Sequence, residues 1–240
     1  MKKVLFIDRD GTIIVEPPIN LQVDTLEKLE FLPYAISSLK KLSDHGYELV
    51  MVSNQDGRGT SSFPEETFQK PQQKMLDILR NEGIIFAEIF IDDSFPEAKS
   101  PNRKPNTGML TSYLISNSID LANSYTIGDR ETDVQLAKNL GCKSIYYSQG
   151  QFENTDLCCN NWVDITNFLT KKTDRVVSLE RNTKETKIKL TLNLDGDGKH
   201  EIDSGLKFYD HMLDQLAKHS GVDLKLTVEG DLEIDEHHTI

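Results

Sequence analysis

Val4-Leu5-Phe6-Ile7-Asp8-Arg9-Asp10-Gly11-Thr12 opens the chain with a short apolar run that ends in two aspartates, one residue apart, and a glycine. The run is of strand type and delivers both carboxylates into a loop. A carboxylate at a strand end can attack phosphorus, and a second one beside it can shuttle the proton of the leaving group. Asp and Gly also favour ordinary turns. The segments that follow along the chain decide between the two readings.

Residues 3–7 form the first of five strand-like runs, the others lying at 47–52, 84–91, 125–127 and 143–147. Between them Ile36, Leu39 and Leu42 recur at helical spacing before Gly46, and Phe68, Met75, Leu76 and Leu79 mark a long amphipathic helix ending near Gly83. Alternating strands and helices imply an α/β, doubly wound parallel sheet, in which ligands bind beyond the carboxyl ends of the strands. Asp8, Ser53 and Asp129 all fall at such ends. The pattern changes after Leu169. A first domain over residues 1–168 is expected, then a polar linker at 169–175, then a different layout over 176–240. There Ile188, Leu190, Leu192 and Leu194 alternate, Tyr209, Met212, Leu213 and Leu216 suggest a helix before Gly221, and residues 224–228 alternate again. This reads as an incomplete α+β domain of strand-strand-helix-strand order.

Composition narrows the function. With 37% hydrophobic and 28% charged residues the chain is of soluble globular type, and a formal net charge of −12 argues against a nucleic-acid backbone as partner. No stretch is long and apolar enough to span a bilayer, and the basic start Met1-Lys2-Lys3 has no signal-peptide core behind it. Cys142, Cys158 and Cys159 lack zinc-knuckle spacing and make a poor disulfide framework, so reduced thiols and a cytoplasmic location are expected. The acidic balance also means that an anionic substrate needs local cations or a metal.

Four segments supply that set in order: Asp8 and Asp10 after the first strand, Ser53-Asn54 after the second, Lys104 in Arg103-Lys104-Pro105, and Asp129 with Asp133 after a further strand. A carboxylate attacking a dianionic phosphate needs its charge repulsion cancelled, and Mg²⁺ held by carboxylates suits this. A serine hydroxyl and a lysine ammonium can hold the remaining phosphoryl oxygens. Each segment alone has an ordinary reading as a turn, a solvated charge or a helix cap. Their ordered occurrence after strands favours a small phosphate ester as substrate.

The pattern resembles the haloacid-dehalogenase-type phosphatases, whose signature is Asp-x-Asp-Gly-Thr. Ser53-Asn54-Gln55-Asp56-Gly57, Arg103-Lys104-Pro105 and Gly128-Asp129-Arg130 are similar more narrowly to the histidinol-phosphate phosphatase branch. The resemblance implies Asp8 as nucleophile, Asp10 as general acid/base, and Ser53 and Lys104 as phosphate holders. It implies Mg²⁺ bound by Asp8, the Asp10 carbonyl and Asp129, with Arg9, Asn54 and Arg103 as weaker candidates for substrate contacts. Relatives in this branch often carry a Cys/His zinc loop before Arg-Lys-Pro. Here residues 92–102 contain neither Cys nor His, so no zinc is expected and that loop must be ordered otherwise. No large inserted cap is evident.

Five of the six histidines lie between His200 and His238. Neutral imidazoles suit Mn²⁺, Zn²⁺ or Fe²⁺. Residues 181–186, Phe208-Tyr209-Asp210-His211-Met212-Leu213-Asp214-Gln215 and His237-His238-Thr239 resemble imidazoleglycerol-phosphate dehydratase. That family would make Glu185, His211, His237 and His238 ligands of catalytic Mn²⁺. The two resemblances together are those of bifunctional histidine-biosynthesis proteins. The dehydratase pattern continues beyond His-His-Thr in that family, so the expectation here is a working phosphatase and no dehydratase activity. A homo-oligomer is compatible with this reading. The alternatives are a related phosphatase for a phosphorylated sugar, which shares the same signatures, or an inactive assembly module.

Overall fold

The computed structural model describes residues 1–150, 152–171 and 175–239. The chain divides into two compact units, Met1–Lys171 and Lys172–Ile240.

The first unit runs β1 (Lys3–Ile7), α1 (Ala35–Asp44), β2 (Tyr47–Asn54), α2 (Glu65–Asn81), β3 (Phe86–Asp92), α3 (Thr111–Ile115), β4 (Tyr125–Gly128), α4 (Glu131–Leu140), β5 (Lys143–Tyr147), β6 (Leu157–Cys159) and α5 (Trp162–Thr170). Its six strands form one parallel sheet of order β3-β2-β1-β4-β5-β6. β1 is apolar on both faces because it is buried on both. Leu5 and Ile7 join Leu49, Met51 and Trp162 in one core, while Val4 and Phe6 join Val50, Val52 and Leu136 in the other. The chain winds outward through β2 and β3, then returns to place β4 on the opposite side of β1. The strand order therefore reverses between β1 and β4, the position at which open α/β sheets leave a crevice at their carboxyl ends.

The expected strands and helices of this unit are present. β6 was not expected, since three residues are too few to carry a periodicity. The linker expected at 169–175 begins later than the sequence suggests. Leu169 and Thr170 close α5, because the Leu169 side chain belongs to the core. Lys172-Thr173-Asp174 of that linker lie outside the described residues.

The second unit runs β7 (Val176–Asn182), β8 (Thr186–Asn193), β9 (His200–Asp203), α6 (Lys207–Ser220) and β10 (Asp223–Gly230). Its sheet order is β7-β8-β10-β9, antiparallel except for the parallel pair β10–β9. β9 adds a strand ahead of the helix that the sequence does not announce, because Ile202 is its one apolar residue.

Candidate active site

Asp8 follows the last residue of β1, and its backbone N–H donates to the Ile127 carbonyl on β4 at 2.8 Å. The two strands that flank the crevice are thus tied together at this residue. Asp8 Oδ1 accepts a hydrogen bond from Arg9 N at 2.7 Å and lies 2.9 Å from Lys104 Nζ. The same ammonium donates to Asp133 Oδ1 at 2.7 Å. Asp133 Oδ2 in turn accepts from Arg130 N at 3.2 Å, so this carboxylate satisfies the start of α4 and anchors Lys104 at once. Two glycines make the approach possible. A Cβ on Gly11, which sits at φ +70°, would lie 2.2 Å from Asp129 Oδ2, and one on Gly128 would lie 2.1 Å from Asp133 Cγ.

Burial sets the electrostatics. Lys104 is 3% exposed, and its pKa is nevertheless held above the ordinary lysine value: burial works against the charge, and Asp133 and Asp8 together outweigh it. Asp133 is pushed up to about 6, chiefly by burial and partly offset by Lys104. Asp129 is pushed up to about 7 by burial first and then by Asp8 and Asp133. Two of the three carboxylates, Asp8 and Asp133, thus share one ammonium, and Asp129 stands beside them without it. Their oxygens lie within 4.8 Å of one another, and Asp129 Oδ1 is buried without a hydrogen-bond partner among protein atoms. An all-oxygen, anionic, undersatisfied cluster of this kind fits a hard divalent cation. Asp133 is thus near enough to join the expected ligands, although Lys104 and the Arg130 backbone N–H engage its two oxygens.

Asp10 lies beside this cluster. Its Oδ2 accepts from Gln55 Nε2 at 2.5 Å and is 3.5 Å from the Arg9 guanidinium. Burial raises its pKa, against the opposing pull of Arg9 and Gln55. Gln55 Nε2 also reaches Ser53 Oγ at 2.9 Å, so one amide fixes both the second aspartate and the serine. The sequence gives no reason to single out Gln55, a neutral side chain in a turn. Its one signal is its place in the run after β2.

Asn54 is engaged with the protein itself. Its Oδ1 accepts from Lys104 N at 3.0 Å and its Nδ2 donates to Lys104 O at 3.2 Å, clamping the lysine backbone. Asp8, Asp10, Ser53, Asn54 and Lys104 line one cavity of about 140 Å³, together with Glu16, Asn20, Gln22, Asp56 and Phe63. Arg9 and Arg103, expected as substrate contacts, are not among its lining residues. Arg9 is fully buried, its guanidinium 4.8 Å above the Phe68 ring, and burial lowers its pKa. Arg103 forms a two-pronged ion pair with Asp56 and donates to the Ser94 carbonyl, a loop-holding arrangement.

In the second unit, Glu185 lies in the turn between β7 and β8, His211 on α6, and His237 in a helical turn where its Nδ1 is 3.0 Å from Asp235 Oδ1. Among the described residues these three do not form a close ligand cluster of the kind that Asp8, Asp129 and Asp133 do. The side chain of His238 lies outside the described residues.

Comparison with known proteins decides the family. Residues 101–163 match the family described as HAD-hydrolase-like, and residues 204–240 match the one described as imidazoleglycerol-phosphate dehydratase. The histidine biosynthesis bifunctional protein HisB of Spirosoma linguale is 50% identical over the whole of this chain, which covers 67% of that protein. This chain belongs to the HisB family. The HisB protein of Bacteroides fragilis is 51% identical, again over the whole chain and over 66% of its own length. The chain thus spans about two thirds of the length of the HisB relatives it matches. Among solved structures, D,D-heptose 1,7-bisphosphate phosphatase from B. bronchiseptica, complexed with magnesium and phosphate, is similar at a TM-score of 0.62 and 23% identity, over 71% of this chain and 99% of that one. That likeness shows the fold of the first unit to be haloacid-dehalogenase-like.

Proposed function

We propose that the first unit is a Mg²⁺-dependent phosphomonoesterase that hydrolyses L-histidinol phosphate to L-histidinol and phosphate. The observation that carries this is the Asp8 carboxylate, held against Lys104 at 2.9 Å inside the Asp8, Asp129, Asp133 cluster and opening onto a cavity. Both of the Asp8 contacts named above fall on Oδ1, so Oδ2 is the oxygen assigned to attack phosphorus. The Asp8–phosphorus bond forms as the ester oxygen–phosphorus bond breaks, and the Asp10 proton passes to the departing alkoxide. Water then attacks the aspartyl phosphate, Asp10 takes the water's proton, and phosphate leaves with the Asp8 carboxylate restored. Lys104 and the Ser53 hydroxyl hold phosphoryl oxygens, where charge spreads in the transition state. Asp8, Asp129 and the Asp10 carbonyl would hold Mg²⁺, with Asp133 at hand; the ion supplies charge neutralisation at the phosphoryl group.

The choice of substrate rests on family and on charge. HisB relatives are named for histidine biosynthesis. Glu16 and Asp56 line the same cavity, each paired within the protein, with Arg130 and Arg103, so the two carboxylates offset those cations there. Among the described residues the lining holds one cation besides Lys104, Arg130, and it is paired with Glu16. That lining offers little to a second phosphate. Phosphate release from L-histidinol phosphate, compared with a set of sugar phosphates and with Asp8→Asn, tests the reading. Selective turnover of L-histidinol phosphate that Asp8→Asn abolishes is expected; preference for a sugar phosphate would overturn the substrate assignment and leave the chemistry standing.

A further inference from the structure

The segment from residue 93 to residue 103 contains no long element, yet it delivers Lys104 to the site. It is anchored at its start by Asp92, the last residue of β3, which is 6% exposed and paired in register with Asn54 of β2. A buried carboxylate is costly unless hydrogen-bonded. Asp92 Oδ1 accepts from Ser94 N at 3.1 Å and from Ser94 Oγ, and Oδ2 accepts from Ser100 Oγ at 2.8 Å. The carboxylate therefore folds the far part of the segment back onto the near part. Ser100 Oγ receives Asn102 N at 3.1 Å, and the Ser100 carbonyl receives Asn106 Nδ2 at 2.8 Å. Arg103 closes the loop on the Ser94 carbonyl and on Asp56. The next residue is Lys104, whose backbone is clamped by Asn54 and whose ammonium touches Asp8 and Asp133.

We infer that Asp92 is a positioning residue: its carboxylate, through Ser94 and Ser100, latches the 93–103 loop and so sets where Lys104 stands. The inference rests on the phosphatase reading for its catalytic consequence and on geometry alone for the latch. It accounts for an ordered loop in a segment that carries no metal-ligating Cys or His. Every contact that the Asp92 side chain makes in this network runs to the loop, so the carboxylate acts on chemistry only through Lys104.

Two variants separate positioning from folding. Asp92→Asn keeps an acceptor for Ser94 and can donate to Ser100 Oγ, whereas Asp92→Ala removes the latch. In the full chain, Asp92→Ala raises the KM for L-histidinol phosphate, or for an aryl phosphate, by about tenfold or more, as expected for a displaced phosphate-holding cation. Asp92→Asn stays within about threefold of wild type, since its hydrogen bonds can be remade. A merely structural role would lower melting temperature and active fraction with KM unchanged, and that result overturns the inference. Hydrogen–deuterium exchange reads the latch without catalysis: the Lys104 amide loses protection in Asp92→Ala and keeps it in Asp92→Asn. Unchanged protection in Asp92→Ala sinks the latch whatever the activity. A wild type inert toward all phosphate esters, with the exchange result as expected, would remove the phosphatase reading alone.

Discussion

Lys104 is the residue on which the charge balance of the site turns. It is the ammonium shared by Asp8 and Asp133, and Asp129 receives none of it. Lys104→Met is expected to reduce turnover by about 10²–10³-fold, the scale of losing one preorganised charge-stabilising donor. Circular dichroism and phosphate release on the same sample check that the loss is chemical. Asp129, pushed up to about 7, gives a pH dependence of definite sign. A carboxyl whose pKa is raised by folding binds its proton more tightly in the native state, so the metal-free protein loses stability as pH rises from about 4 to about 7. Over the same range a divalent cation must displace that proton, and above it need not. The rise in melting temperature on adding Mg²⁺ should therefore be small near pH 5.5 and larger near pH 8, read by thermal denaturation with and without the ion. An increment independent of pH would contradict the assignment of Asp129 as ligand. At this scale the sequence exposed the charged residues well, because Asp8, Asp10, Lys104 and Asp129 sit at strand ends or in recognisable runs. It did not expose Gln55, whose amide joins Asp10 to Ser53 through contacts that exist only once β1 and β2 are side by side. For Arg9 and Arg103 it offers the residue and not the direction, since a sequence does not say whether a guanidinium faces a ligand or a neighbouring loop.

At the scale of elements, α5 secures the loop that follows β1. Trp162, the single tryptophan, is fully buried at the start of α5 and donates its indole N–H to the Thr12 carbonyl at 2.7 Å. Trp162→Phe removes that hydrogen bond and is expected to cost about 1–3 kcal/mol, leaving a buried carbonyl short of its donor. Trp162→Ala adds a cavity and should cost about 3–5 kcal/mol. Urea unfolding followed by circular dichroism measures both, and equal losses would show that packing alone matters there. Element type was legible where a short apolar run or a helical spacing stood out between turn residues, as in β1, α1 and β5. α2 starts at Glu65, ahead of its first apolar marker, and keeps Pro71 buried in its interior, because core packing of Phe68, Met75 and Leu79 outweighs the lost backbone hydrogen bond. β6 and β9 are not legible in the sequence because each is defined by its neighbours in the sheet and carries little pattern of its own.

Over the whole molecule, the winding of the sheet gathers chemistry that the sequence scatters. Residues 8, 53 and 129 come together because β1, β2 and β4 run parallel and end together at the reversal of strand order, and the loop after β3 brings Lys104 to them. The change of periodicity near Leu169 falls close to the division between the two units, which lies after Lys171, beyond the end of α5 at Thr170. In the second unit, among the described residues, Glu185, His211 and His237 do not gather into a ligand cluster. Mn²⁺-dependent dehydration of imidazole glycerol phosphate by this 240-residue chain is therefore expected to stay at background in a coupled spectrophotometric assay. Robust elimination would show that the unit completes its site by other means. The proposed mechanism requires Asp8 to become phosphorylated during turnover. Acid quenching during reaction with L-histidinol phosphate, borohydride reduction and peptide mapping test it directly. An aspartyl phosphate is reduced to homoserine, so homoserine in place of Asp8, formed only when substrate is present, is the predicted result. Sustained turnover with Asp8 unmodified, or with another carboxylate reduced instead, would contradict it.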